Sequence, residues 1–347
     1  MNSIYVCFNF KSISACQDDP EQFDKDYQNI YKPLTKFLYS NPNFKFSFYF
    51  NGPQILYYKK KRSEFITILK QLIERKQVEI IGGGYYDPVL PLLYSVDRNT
   101  QIDMLSTEVR QTFGKRPRGI TTFGDIWDSS LVNNLQTSGI EYAVLDKYSF
   151  PEEKLKYLSL FMHDLGKSVE LIPSYDEYIP KVDNSPENYI KTISKNVEKS
   201  EKKDNFFQET PNKIITVTLN ELNIKELIEK NWFVNLNKFL SENTNHKIKI
   251  SLIEDYRNLN EIKLPVYISS AINHNLAAWC NYLNKSKNKD DSNKTVYDFM
   301  EKYKQSEYLY HRIQEHIFVI VLILLVLVFD ITIHLHSTYN LEYILHF

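Results

Sequence analysis

Glycine is scarce in this chain, nine in 347 residues, and cysteine is scarcer, three in all. Low complexity is therefore not its general character. Cys7, Cys16 and Cys280 form no CxxC pair and are odd in number. That argues against a disulfide framework or a thiolate zinc site and makes a reducing compartment the default. Excess charge of one sign is also lacking: 42 Lys and Arg stand against 43 Asp and Glu, a net of −1. A nucleic-acid binder held by bulk electrostatics is disfavoured on that ground. Met1 to Phe10 has no basic region followed by a long apolar run, so it reads as a first strand and not as a signal peptide.

What is present is a 43% hydrophobic chain, long enough for one large α/β domain or two smaller ones. Short apolar runs alternate with amphipathic stretches. Strands are expected at Ser3–Phe10, Phe44–Phe50 and Val78–Ile81, with Asn51-Gly52-Pro53 breaking the second. Helices are expected over Pro20–Leu38, over Ser63–Lys76 with Phe65, Ile66, Leu69, Leu72 and Ile73 on one face, and around Ile102, Leu105, Val109 and Phe113. Gly119 to Leu135 reads as a buried strand, Ile120–Phe123, then a turn, then a helix capped by Ser129 or Ser130. Tyr142–Asp146 is a fifth strand, Phe161–Tyr175 a strand pair, and Lys213–Leu219 and Lys247–Ile253 two more candidates. Such alternation is the signature of a parallel sheet or barrel. Ser194–Asn205 and Asn284–Lys294 are polar and read as solvated loops. Gly82-Gly83-Gly84 does not continue into a P-loop pattern and reads as close packing of chain at the sheet rim. His163, His274 and His311 are scattered, so no metal site and no cofactor is expected.

The end of the chain changes character. Ile317–Phe329 is an unbroken apolar run, ended by Asp330 and continued weakly by Ile331–Leu335. A bilayer span needs about 20 such residues. Lysine, dense up to Lys304, is absent beyond it. Two readings stay open: a membrane anchor through Ile317–Leu335, or an end produced by a shifted reading frame. The matching locations are the cytoplasm or a membrane reached through the tail.

Gln71–Pro91, QLIERKQVEIIGGGYYDPVLP, resembles the third-strand block of glycoside hydrolase family 57, which includes 4-α-glucanotransferases and α-amylase-like enzymes. Phe50-Asn51-Gly52-Pro53, Gly119–Leu135, Gly139-Ile140-Glu141-Tyr142 leading to Asp146, and Lys302–Arg312 extend the resemblance. It covers roughly Ser3 to Ile313, patchily from about Pro180 to Asn212. It implies an α/β fold, a (β/α)7-type barrel resembling an incomplete TIM barrel, over residues 1–282. The start of a helical region would occupy 283–313 and the apolar tail 314–347. The implied partner is an α-glucan or maltooligosaccharide. The implied chemistry needs a nucleophilic carboxylate and an acid/base carboxylate about 5–5.5 Å apart.

Matched residue by residue, the resemblance implies a member without that pair. The family's His-x-His-Gln-Pro stretch after the first strand matches Phe8-Asn9-Phe10-Lys11-Ser12. The nucleophile position falls on Gly124, and the acid position near Leu219 and Asn220. Asp125 and Glu221 adjoin these places. Each is either a displaced catalytic acid or an acid favoured near a helix N-terminus by the macrodipole. Tyr86, Asp87, Trp127 and Asp146 match substrate-binding positions; Asp87 and Trp127 either line a sugar subsite or support the barrel rim. Ser149 stands where the family tends to have histidine. The function implied is that of an α-glucan-related protein with impaired catalysis; the alternative is a non-catalytic carbohydrate- or partner-binding protein.

Overall fold

A computed structural model describes residues 3–12, 20–203, 211–243, 247–259 and 262–274. Cys16, Cys280, His311, the polar run at 284–294, the segment 302–312 and the apolar tail lie outside the described residues. Among the described residues, no helix is long and apolar enough to cross a membrane.

In chain order, β1 (Ile4–Lys11) leads to α1 (Pro20–Asp26), a π-helical turn at Tyr27–Tyr31, and α2 (Lys32–Ser40). Next come β2 (Phe46–Tyr49), α3 (Gly52–Lys61), α4 (Ser63–Glu74), β3 (Val78–Ile81) and α5 (Ser95–Phe113). β4 (Gly119–Thr121), β5 (Trp127–Asp128), α6 (Leu131–Thr137) and β6 (Tyr142–Asp146) follow. The antiparallel pair β7 (Leu160–Asp164) and β8 (Lys167–Ser174) precedes α7 (Pro186–Lys203) and β9 (Lys213–Leu219). The described chain closes with α8 (Glu221–Glu229), α9 (Trp232–Glu242), β10 (Ile248–Ile250), α10 (Ile253–Leu259), β11 (Leu264–Pro265) and β12 (Ser270–Ala271).

The parallel pairs trace a circuit through seven strands, β1-β2-β3-β4-β6-β8-β9 and back to β1. Two joints are one residue pair wide: Gly82 with Ile120, and Ser174 with Thr216. The architecture is the expected (β/α)7 type. One edge of β1 runs along β9 from Ile4 to Phe10, and its other edge is shared. There β10 pairs with Ile4–Val6 and β2 with Asn9–Lys11. Residues Gly82–Gly84 pack as their sequence suggests: a Cβ on Gly83 would stand 2.5 Å from the Tyr49 ring, and one on Gly84 2.3 Å from Pro88.

Side chains alternate along a strand, and β1 shows what this decides. Ile4, Val6, Phe8 and Phe10 face the helices, in a core built with Phe44, Phe46, Phe48 and Tyr31. Tyr5 and Cys7 face the interior, with Ile81, Tyr142, Val144, Ile172 and Ile214. Ile253 and Tyr256 of α10 fill the amino-terminal end of that interior. A second outer core lies under α6, around Trp127, Leu131, Leu135, Leu145, Met162 and Leu171.

One expectation is corrected and another is extended. Ser194–Asn205 is not simply a solvated loop, since α7 runs on to Lys203. Tyr189, Ile190, Ile193 and Val197 of α7 are buried at helical spacing. The break after β2 at Asn51-Gly52-Pro53 also begins a helix. Asn51 caps α3 in a reciprocal box with Gln54, and Pro53 occupies the first turn, where its missing N–H is harmless.

Candidate functional site at the carboxyl ends of the strands

Parallel α/β folds gather ligands where the strands end, and here those ends carry a polar cluster. Lys11 closes β1 pointing inward. Its Nζ donates to Thr121 Oγ1 at 3.2 Å and to the Thr122 carbonyl, and lies 4.0 Å from Asp125 Oδ1. Asp125 sits in the 3-10 turn after β4. Gly124 and Asp125 both adopt left-handed backbone, φ +58° and +50°. The first is a conformation glycine takes freely; the second is strained for a residue with a Cβ. Asp125 Oδ2 accepts from Asn273 Nδ2 at 3.0 Å, and the Gly124 carbonyl accepts from the Asn273 N–H at 2.9 Å. Burial pushes the Asp125 carboxyl above the ordinary aspartate value, while Lys11 and Asn273 pull it back.

A second group sits at the end of β6. Asp146 Oδ1 accepts from the Tyr148 N–H at 3.1 Å. Its Oδ2 accepts from the His274 N–H at 2.9 Å and lies 2.5 Å from His274 Nδ1. His274 Nε2 is 3.4 Å from Asp176 Oδ2, and Lys147 pairs with Glu177 at 2.6 Å. The segment ending in His274 is fastened across the barrel mouth partly because β12 pairs antiparallel with β5.

The positions matched to catalysis are placed otherwise. Leu219 is fully buried in the outer core. Asn220 is the N-cap of α8: its Oδ1 accepts from the Asn223 N–H at 3.0 Å and its own N–H donates to Asn223 Oδ1 at 3.1 Å. Glu221 lies in the first turn of α8, as the dipole reading expects, and accepts from Ser12 Oγ at 2.6 Å. Asp125 does not fit the helix-acid reading. Helix α6 starts only at Leu131, and the Asp125 carboxylate faces Lys11 and Asn273 instead.

Of the four substrate-binding candidates, Asp146 is in the polar cluster. Tyr86 is half-buried, its ring 4.8 Å edge-on from Tyr85 and its N–H on Gln101 Oε1. Asp87 is buried at φ +53°. Trp127 is 1% exposed, with Nε1 donating to the Ile268 carbonyl at 3.1 Å. Its geometry is that of rim support, because the indole faces are covered by core side chains. The first-strand match is also sharpened by alternation. Phe8 and Phe10 point away from the mouth, so the inward places at the end of β1 belong to Asn9 and Lys11. Period-2 patterning of β1 could have found Lys11. Asn273 and His274 carry no local signal, and among the described residues no group of three His, Cys, Asp or Glu is placed to hold a metal.

Comparison with known proteins decides the family. The model of glycosyl hydrolase family 57 matches residues 8–175. Residues 8–175 belong to glycosyl hydrolase family 57. Within that family, α-amylase 1 of Dictyoglomus thermophilum is 32% identical over 154 residues, 43% of this chain and 22% of the relative. The 4-α-glucanotransferase of Thermococcus litoralis is 32% identical over 155 residues, 44% of this chain and 23% of the relative. These alignments thus span less than a quarter of the curated relatives. The crystal structure of a 4-α-glucanotransferase from Thermococcus litoralis superposes with a TM-score of 0.68 at 22% identity, covering 90% of this chain and 48% of that one. An α-amylase structure from Thermotoga maritima gives 0.61 at 11% identity, covering 92% of both. At such identities the superpositions establish the fold.

Proposed function

We propose that this family 57 barrel engages α-glucans and does not run the family's two-carboxylate chemistry. The observation that carries the reading is the fate of the two matched positions. Gly124 has no side chain, Leu219 is sealed in the outer core, and Asn220 spends its amide on capping α8. Glycosyl transfer with retention needs two carboxylates across the bond, about 5–5.5 Å apart. The neighbouring acids are held in separate networks, Asp125 by Lys11 and Asn273, Glu221 by Ser12. Misplacement of a reacting group by even ~1 Å can cost ~100-fold in rate, so neither is a ready substitute.

The glucan part of the reading rests on kinship with α-amylases and 4-α-glucanotransferases. Asp146 and Tyr86 are its candidate contacts. Incubation of the full-length chain with maltooligosaccharides, followed by chromatography, tests the catalytic part. Unchanged chain lengths are expected; redistributed lengths or released glucose would overturn it. Retardation in glucan-containing native gels tests the binding part, and migration indifferent to glucan would remove it. The division at residues 282 and 313 and membrane attachment through Ile317–Leu335 are further proposals from sequence. Membrane fractionation that high salt does not reverse is the result expected of such an attachment.

A further inference from the structure

At the amino-terminal end of the barrel, opposite the mouth, lies a cleft of about 520 Å³ between the ends of α4 and α5, the strand β3 and helix α10. That is within the size range of small-molecule sites, about 300–1,000 Å³. Ile73, Val78, Ile80, Phe113 and Leu252 supply an apolar lining. Four acids and four bases complete it, but they are not equivalent.

Each acid is matched. Glu141 pairs with Arg257 at 3.0 Å and Arg118 at 3.4 Å, Glu254 with Arg118 at 3.7 Å, and Asp255 with Lys45 at 2.6 Å. Glu79 is buried, accepts from Tyr142 Oη at 2.6 Å, and is pushed up to about 7 chiefly by burial, so near neutral pH much of its charge is gone. Three of the bases are left over. Among the described residues no carboxylate pairs with Lys76, Lys115 or Arg116. Lys76 follows the end of α4, and Lys115 and Arg116 follow the end of α5. A helix end alone explains a cation beside it. It does not explain two helices delivering three unpaired cations into one cleft.

We propose that this amino-terminal cleft is a binding site for a small hydroxylated phosphate ester, of the sugar-phosphate class. Lys76, Lys115 and Arg116 hold the phosphate, since ammonium and guanidinium groups are its natural partners. The Asn258 amide donates to or accepts from the ligand hydroxyls, the Glu254 carboxylate accepts from them, and the apolar lining takes a C–H face of the ring. The site is separate from the glucan mouth and stands whether or not that mouth turns over substrate.

Calorimetric titration of the full-length chain at neutral pH tests it, with glucose 6-phosphate, inorganic phosphate and glucose as probes. Glucose 6-phosphate is expected to bind more tightly than inorganic phosphate, and glucose not at all. Arg116→Ala and Lys115→Ala should each weaken the ester by at least about tenfold, the scale of one charge-assisted contact. Both residues lie on the surface after α5, and Arg116→Glu, with circular dichroism unchanged, should abolish binding. Absence of binding to the wild type at millimolar ester would overturn the proposal. Binding that survives Arg116→Glu would also overturn it. Equal affinity for inorganic phosphate and the ester would overturn the hydroxylated ligand.

Discussion

The two ends of the barrel surround their buried acids with different partners. At the carboxyl end, Asp125 meets Lys11 and an amide, and Asp146 meets two backbone N–H groups and His274. At the amino end, Glu79 meets a tyrosine hydroxyl and lies near a second carboxylate, Glu254, and its proton is retained to about pH 7. One barrel interior thus gives its buried carboxyls a lysine, an amide and a histidine at one end, and a tyrosine hydroxyl and a second carboxylate at the other. Burial raises both Glu79 and Asp125; Tyr142 pulls Glu79 back while Glu254 pushes it further up, and Lys11 and Asn273 pull Asp125 back.

The comparison breaks in graded ways. The largest effect expected is pH-dependent. The Glu79 carboxyl is raised from 4.5 to about 7 by folding. A raised acid binds its proton more tightly when folded, so the native state is favoured fully below pH 4.5 and loses that advantage as pH rises to 7. The loss is about 3 kcal/mol on the scale of 1.36 kcal/mol per unit. Urea unfolding at pH 5 and pH 8 should show it, and Glu79→Gln should remove most of that slope. A slope unchanged in the variant would assign it to other groups.

Of similar size is the removal of Arg257, which pairs with Glu141 and with the buried Glu170 at 2.8 Å. Arg257→Met should destabilise by about 3 kcal/mol, because breaking a buried pair leaves an uncompensated charge. Lys263, 2.7 Å from Glu170, softens that loss. Adding Glu170→Met should restore much of it; a double variant no better than the single one would show that packing and not charge was lost.

Smaller effects are expected at the other end. Asn220→Ala should cost about 1 kcal/mol, the usual value of an N-cap, and leave glucan behaviour as it was. A loss of glucan retardation in that variant would give Asn220 a role beyond its helix. Lys11→Met should move the Asp125 titration upward, since the lysine is the main group lowering it. Carboxyl NMR would detect the shift, and an unmoved resonance would place the cation elsewhere in solution.

Much of the barrel was legible before its coordinates. β3, β6 and β9 match the expected strands residue for residue, because β-branched and aromatic runs bounded by turn residues have few other uses. Helix α7 was hidden by its own lysines and glutamates, although Tyr189, Ile190, Ile193 and Val197 keep a helical stripe. The site was less legible. The absence of a carboxylate at Gly124 is plain in the sequence, but the orientation of Phe8 and Phe10 needed strand alternation. The bond from His274 to Asp146 joins residues 128 positions apart, and no local pattern announces it.

The reading of the mouth as a family 57 site without the family's acid pair is tested most directly by covalent trapping. An activated fluoroglucosyl fluoride loses fluoride to a nucleophilic carboxylate and leaves a slowly hydrolysed glycosyl ester, which intact-protein mass spectrometry detects. The account predicts no mass gain on the full-length chain. A single added glycosyl group, mapped to Asp125 or Glu221, would contradict it and make this barrel a working transferase with relocated acids.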